Sequence, residues 1–273
     1  MFQMKRILFP VDFSPRVRGA VAYVEALAGR FDAEVILLHV IEPTTYNSTL
    51  GEDPVIQPKD FDQFFGADLK YLRVQRLIEH GEVARKIADC AARLSVDLIM
   101  MPTQGLGTFR RLILGSSTTK VLHDAEQPVW TGVHLEDSPS LEAISCRKIL
   151  CAVDLQAQSG LVLDWASRLA EEYQADLTLL HVTPESEFAY PTRPNREEMV
   201  ARSKLEDLLK ATGTYATVRI DAGQPAKMIA CVAKEIGADL TVIGRRAAPG
   251  TSGRLEANAY AIIRQSPCPV VSV

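Results

Sequence analysis

The chain lacks most of the features that would mark it as specialised. Its five cysteines (Cys90, Cys146, Cys151, Cys231, Cys268) form no CxxC pair and no even framework. That excludes a disulfide-stapled fold and offers no spacing for a zinc site. They read instead as reduced, mostly buried thiols of a cytoplasmic protein. Aromatic residues are only 7% of the chain, so its core must be largely aliphatic. No apolar run approaches the ~20 residues of a membrane helix, which argues against a membrane partner. Lys5 and Arg6 precede Ile7-Leu8-Phe9, but Pro10 and Asp12 end that run too early for a signal peptide. Neither sign of charge dominates: a formal net charge of -4 gives no electrostatic case for nucleic acid or anionic membrane. A Walker A lysine and a Gly-x-Ser-x-Gly elbow are also missing.

What the chain does contain is a second copy of itself. Shifted by 142 residues, it aligns with itself without a gap from about Ile7 to Pro102. Ile7-Leu8-Phe9-Pro10-Val11-Asp12 falls on Ile149-Leu150-Cys151-Ala152-Val153-Asp154, and Leu37-Leu38-His39-Val40 on Leu179-Leu180-His181-Val182. Gly81-Glu82-Val83-Ala84 meets Gly223-Gln224-Pro225-Ala226. A period this long marks a duplicated domain, not a solenoid. Units of this length match the commonest domain size and bury a core of their own. The expected domains are 1–137 and 146–273, joined by a polar, proline-containing linker.

Each half alternates apolar runs with helical periods. Ile7 to Val11 reads as a strand buried on both faces of a parallel sheet. Ser14 is placed to N-cap, and Pro15 to open, a helix carrying Val17, Ala20, Val21, Val24, Leu27 and Ala28 on one stripe. Further strands are expected at 33–40, 72–78, 98–101 and 129–133, with helices at 83–94 and running to His123. Residues 42–66 read as a long loop. The second half repeats the order, with strands at 148–153, 176–182, 216–222, 239–243 and 269–273. Its helices are expected at 159–173, 196–211, 225–236 and 257–265. This alternation predicts an α/β fold with two tandem domains, each a five-stranded parallel sheet with helices on both faces. Ligands of such sheets sit beyond the strand C-termini, where the strand order reverses.

The segment after the fourth strand is Gln104-Gly105-Leu106-Gly107-Thr108-Phe109-Arg110-Arg111-Leu112-Ile113-Leu114-Gly115-Ser116-Ser117. Gly105 lets backbone approach an anion without an intervening Cβ. Gly115-Ser116-Ser117 opens a helix, gathering unpaired N–H groups, hydroxyls and the positive dipole end at one point. Arg110 and Arg111 add charge near a phosphate tail. The plainer alternative is that the glycines make a turn and Ser116 caps a helix.

Together with Ile-Leu-Phe-Pro-Val-Asp, Leu-Leu-His-Val and the Gly-x-x-Ala helix start, this segment makes the chain resemble the universal stress protein family over nearly its whole length. ATP-binding members of that family carry Gly-x2-Gly-x9-Gly-Ser/Thr after the fourth strand. Here Gly105 and Gly115-Ser116 keep the spacing, and Pro102 replaces the first glycine. The resemblance implies a Rossmann-like (adenine nucleotide alpha hydrolase-like) fold in each half. It implies ATP, with Mg2+ as its companion ion, as the cofactor. The implied nucleotide site comprises Pro10, Val11, Asp12, Val40, Pro102, Gly105, Arg111, Gly115, Ser116 and Ser117. Asp12 would contact the nucleoside and the Val40 backbone the adenine edge.

In the second half Asp154, Val182 and Gly244 persist as a degenerate site. Ala247 stands at the second glycine, and the Gly-Ser pair becomes Ala257-Asn258 counting forward from it. Counting back from Pro267-Cys268-Pro269, the pair becomes Glu256-Ala257, and Glu256 would bring a carboxylate where a phosphate belongs. Arg245, Arg246 and Arg254 remain as candidate anion holders, but the half is expected to be structural. His39 and His181, at equivalent strand ends, read as hydrogen-bonded structural residues. His80, His123 and His134 show no partners for a metal or a triad.

Three functions compete. The first is a cytoplasmic stress or regulatory protein that binds ATP in its first half without efficient turnover, since no base or nucleophile is evident beside the phosphate loop. The second is an interaction scaffold that binds no nucleotide. The third is an ATP-using enzyme of related fold, for which a Ser-Gly-Gly-x-Asp-Ser loop or His-x-Gly-His motif is missing. Relatives in the resembled family commonly pair their fifth strands. The corresponding runs here, Val129 to Val133 and Pro269 to Val273, are short, apolar and last in their sheets. Their antiparallel contact is therefore predicted to join the halves as a pseudo-dimer, with a homodimer of whole chains as a further pairing open to it.

Overall fold

A computed structural model of the chain describes residues 2–13, 15–42, 61, 64–102, 115–132, 140–141, 144–185, 196–245 and 254–273. The first half runs β1 (Arg6–Pro10), α1 (Pro15–Phe31), β2 (Glu34–Ile41), β3 (Val74–His80), α2 (Val83–Arg93), β4 (Leu98–Pro102), α3 (Ser116–Asp124) and β5 (Val129–Gly132). The second runs β6 (Lys148–Ala152), α4 (Ser159–Tyr173), β7 (Asp176–Thr183), α5 (Arg196–Thr212), β8 (Thr217–Ala222), α6 (Pro225–Ile236), β9 (Leu240–Ile243), α7 (Arg254–Gln265) and β10 (Val270–Ser272).

These strands form one sheet in the order β3-β2-β1-β4-β5-β10-β9-β6-β7-β8. Within each half the neighbours are parallel. The halves meet at the antiparallel pair β5–β10, with Trp130 opposite Val271, Thr131 opposite Val270 and Val129 opposite Ser272. Counted back from Pro128 and Pro269, Trp130 and Val271 are the same position in the two halves. The pairing is therefore a pseudo-two-fold centred on that pair, as the apolar fifth strands predict.

Strand residues alternate between two cores, and each core runs through both halves. Ile7, Phe9, Leu98, Ile149 and Cys151 pack on one face with Val17 to Ala28 of α1, Val162 to Ala170 of α4 and Leu205 of α5. Leu8, Ile99, Leu150 and Ile243 pack on the other with residues of α2, α3, α6 and α7. Fully burying such side chains stabilises by about 1.5–3 kcal/mol each relative to exposure. On the first face the halves touch through equivalent positions. Arg30 pairs with Glu172 at 3.5 Å, and the Phe31 and Tyr173 rings meet edge-on at 6.1 Å.

Some boundaries differ from those expected. β3 begins at Val74 rather than 72, because Leu72 closes a turn on the Leu69 carbonyl, and it extends to His80 opposite Ile41. α7 begins at Arg254 rather than 257. Cys231 is exposed and Cys146 partly so, while Cys90, Cys151 and Cys268 are buried. No helix among the described residues is long and apolar enough to cross a membrane.

Candidate functional site

From β1 the chain moves outward to β2 on one side and later returns to β4 on the other, so the strand order reverses between β1 and β4. Beyond their carboxyl ends lies a cleft of about 200 Å³. It is lined by Pro10, Val11, Asp12, Val40, Pro102, Gly115, Ser116 and Ser117, which brings eight sequence-predicted residues together. Gly105 and Arg111, with Gly107 and Arg110, lie outside the described residues, as does Ser14.

The floor of the cleft is tied down by backbone and histidine. Val11 N–H donates to Leu38 O at 2.8 Å, and His39 Nδ1–H donates to Val11 O at 3.0 Å. A carbonyl can only accept, so the proton sits on Nδ1 and His39 is a positioning residue. Phe13 follows in the left-handed region at φ 58°, a conformation rare for a bulky residue. Its ring packs against His39 at 4.7 Å, Phe64 at 4.6 Å and Phe61 at 5.5 Å. This aromatic cluster holds the turn just after Asp12. Sequence reasoning missed it, because no glycine or asparagine advertises the turn.

Across the cleft stands the first turn of α3. Gly115 is its N-cap residue, with no side-chain cap hydrogen bond and no acidic residue in the first turn. The N–H groups of Ser116, Ser117 and Thr118 have no intrahelical acceptor, whereas Thr119 N–H returns to Gly115 O at 2.9 Å. An uncapped helix N-terminus of this kind favours an anion. α3 itself is steadied by Lys120, whose Nζ lies 2.9 Å from Glu82 Oε1. Glu82 also accepts the Arg85 N–H that starts α2. The Lys120 hydrogen bond and then the Arg85 N–H hold the Glu82 carboxyl below its ordinary range.

The second half forms a matching cleft of about 190 Å³ lined by Asp154, Val182 and Gly244, with His181 Nδ1 2.8 Å from Val153 O. Its chemistry differs. Asp154 Oδ1 accepts Gln156 N–H at 2.9 Å and the Ser159 hydroxyl at 3.1 Å, so this carboxylate serves the start of α4. Counted back from Pro269, Ala257 matches Ser116, yet α7 already begins at Arg254. The helix end is thus displaced by three residues, roughly 4.5 Å along its axis. Arg245, a candidate anion holder, instead donates to the Leu122 and Gln127 carbonyls of the first half. Arg246 lies outside the described residues, and of Arg254 only the backbone is described.

Pro102 and Gly244 differ for a local reason. A Cβ on Gly244 would stand 3.2 Å from Val162 Cγ2. The first half carries Ala20 where the second has Val162, and alanine has no Cγ to make that contact.

Candidate nucleophiles are poor. Burial pushes the Cys146 and Cys151 thiols up to about 12, so neither ionises at neutral pH. Among the described residues no group of three His, Cys, Asp or Glu is placed to hold a metal ion.

The profile of the universal stress protein family matches residues 4–131 and 145–273. A universal stress protein of Mycolicibacterium smegmatis is 28% identical over 95% of this chain and 93% of its own length. A Thermus aquaticus universal stress protein is 30% identical over 46% of this chain and 96% of its own, the length of one half. The crystal structure of a universal stress protein from Archaeoglobus fulgidus shares the fold with a TM-score of 0.70, at 22% identity, over 99% of this chain and 96% of that one. With both halves matched and the two-domain architecture shared, the chain belongs to the universal stress protein family.

Proposed function

We propose that the first half binds ATP as a regulatory ligand, in a stress-response role, and turns it over slowly or not at all. The observation that carries this is the uncapped N-terminus of α3 facing Asp12 across the β1–β4 cleft. The N–H groups of Ser116 and Ser117 and their hydroxyls would meet the phosphates, with Arg111 and Gly105 completing the loop. Asp12 would accept from the ribose hydroxyls, and the Val40 backbone would meet the adenine edge. Mg2+ would neutralise phosphate charge and arrive with the nucleotide. Slow turnover is the expectation because, among the described residues of the cleft, no nucleophile is paired with a base, and His39 Nδ1 is held by the Val11 carbonyl. Five free cysteines support a cytoplasmic location.

The second half, with its carboxylate tied to Gln156 and Ser159, would serve as a fixed partner. A nucleotide-free scaffold is the competing reading, favoured by Pro102, which has no N–H to offer.

Titration calorimetry decides between them. One ATP per chain is expected, and Gly115→Trp, which fills the cradle, should abolish it. Equal affinity in wild type and variant would sink the site; no heat in wild type would leave the scaffold. Phosphate release well above about one per minute and lost in Asp12→Ala would instead mark an enzyme, since ordinary enzymes run near ~10 per second.

A further inference from the structure

The second half, whose nucleotide motif is degenerate in sequence, keeps a buried arginine at the junction of the halves. Arg245 follows β9 and is 4% exposed. Its backbone N–H donates to Val273 O at 3.2 Å, fixing it to the end of β10. Its guanidinium crosses into the first half, where Nη1 donates to Leu122 O at 3.2 Å and Nη2 to Gln127 O. Leu122 lies in the last turn of α3, whose carbonyls have no acceptor role left within the helix. The guanidinium charge also matches the negative end of the helix dipole. Nearer the other end, the Tyr260 hydroxyl of α7 donates to Thr119 O at 3.2 Å. α3 is therefore gripped at two points by the second half, while Gly115-Ser116-Ser117 opens on the cleft.

The two gripping residues are not repeated in the first half. The first-half position equivalent to Arg245 is Thr103, which has no guanidinium to return the contact. Tyr260 and Thr119 are themselves the same position in the two halves, so the long phenol exists on one side only.

We propose that Arg245 and Tyr260 are positioning residues for the nucleotide: through them the second half holds α3 where its first-turn N–H groups meet the phosphates. This rests on the ATP reading of the first cleft. A helix seated in advance need not be ordered by its ligand, and an unseated fraction lowers the apparent affinity in proportion. The coupling is reciprocal, so a triphosphate in the cleft tightens the contact between the halves by the same factor. The second half thus sets the affinity of the first without binding nucleotide itself.

The test uses the full chain with Tyr260→Phe, which removes one hydroxyl and keeps the ring, and Arg245→Met. Calorimetry with ATP should show Kd rising roughly threefold in the first and about tenfold in the second, the scale of one and of two lost hydrogen bonds. Adenosine, which has no phosphates to meet α3, should bind all three proteins equally. No loss for ATP, or an equal loss for both ligands, overturns the proposal. Amide exchange over residues 119–123 of the nucleotide-free protein gives a separate readout, expected to quicken in both variants while α2 stays unchanged. If wild type binds no ATP, the nucleotide reading fails by itself, and unaltered exchange on α3 would overturn the positioning role independently. Should Arg245→Met fail to fold, Tyr260→Phe carries both measurements.

Discussion

Five residues beyond Asp12 stands Val17; five residues beyond Asp154 stands Ser159, and its hydroxyl lies 3.1 Å from the Asp154 carboxylate. Valine offers no such donor, so the hydrogen bond by which Asp154 holds the first residue of α4 has no counterpart at position 17 of the first half. The helices opposite part in the same sense, α3 opening at Gly115-Ser116 and α7 starting three residues earlier. The second cleft thus ties its aspartate to the start of α4, while the cavity keeps its size. Duplication within one chain also lets the contact become asymmetric. Arg30 and Glu172 are one position in two copies, paired at 3.5 Å. Two identical halves would bring like charges together there, so covalent linkage permits a complement that a dimer of identical copies could not have.

The largest test breaks the halves apart. Val129 and Val271 are 0% and 1% exposed in the central strand pair. Val129→Asp with Val271→Asp buries two unpaired carboxylates, each costing several kcal/mol. Small-angle scattering should then show an extended particle; an unchanged compact profile would refute the interface as the main hold between domains.

Next comes the aspartate contrast. Ser159→Ala should cost about 1–2 kcal/mol in denaturant unfolding, because it leaves a hydrogen bond to Asp154 unmade. ATP affinity should stay unchanged, and a fall in it would blur the division of labour between halves.

Smaller still is the Gly244–Val162 contact. Gly244→Ala should destabilise, and Val162→Ala beside it should recover part of that loss by recreating the first half's Ala20 arrangement. A double-mutant cycle should give a coupling of about 0.5–1 kcal/mol; zero coupling would mean that space does not explain Pro102.

The smallest effect is at Glu82. Its carboxyl is held low in the folded state, first by Lys120 and then by the Arg85 N–H. A depressed folded value stabilises above the unfolded value, near ~4.3, and that stabilisation fades as pH falls through the folded one. Glu82→Gln should therefore lower the melting temperature slightly at pH 7, with the difference shrinking in acid. A difference that persists in acid would point to packing rather than charge.

Much was legible in the chain alone. The 142-residue repeat, the apolar strand runs and the Gly115-Ser116-Ser117 helix start fix the duplication, the parallel sheet and the helix end that faces the cleft, because periodicity and capping are local properties. The fifth strands are short, apolar and last, and with the family resemblance these features point to their pairing. Tertiary structure alone decided what was non-local. The left-handed turn at Phe13 depends on rings from residues 61 and 64. The diversion of Asp154 to Ser159 depends on how α4 sets off from β6. Arg245, one of three candidate anion holders in a half expected from the sequence to be structural, finds its partners over a hundred residues away, at Leu122 and Gln127. A buried guanidinium must satisfy its donors wherever the packing places carbonyls, and sequence spacing does not carry that information.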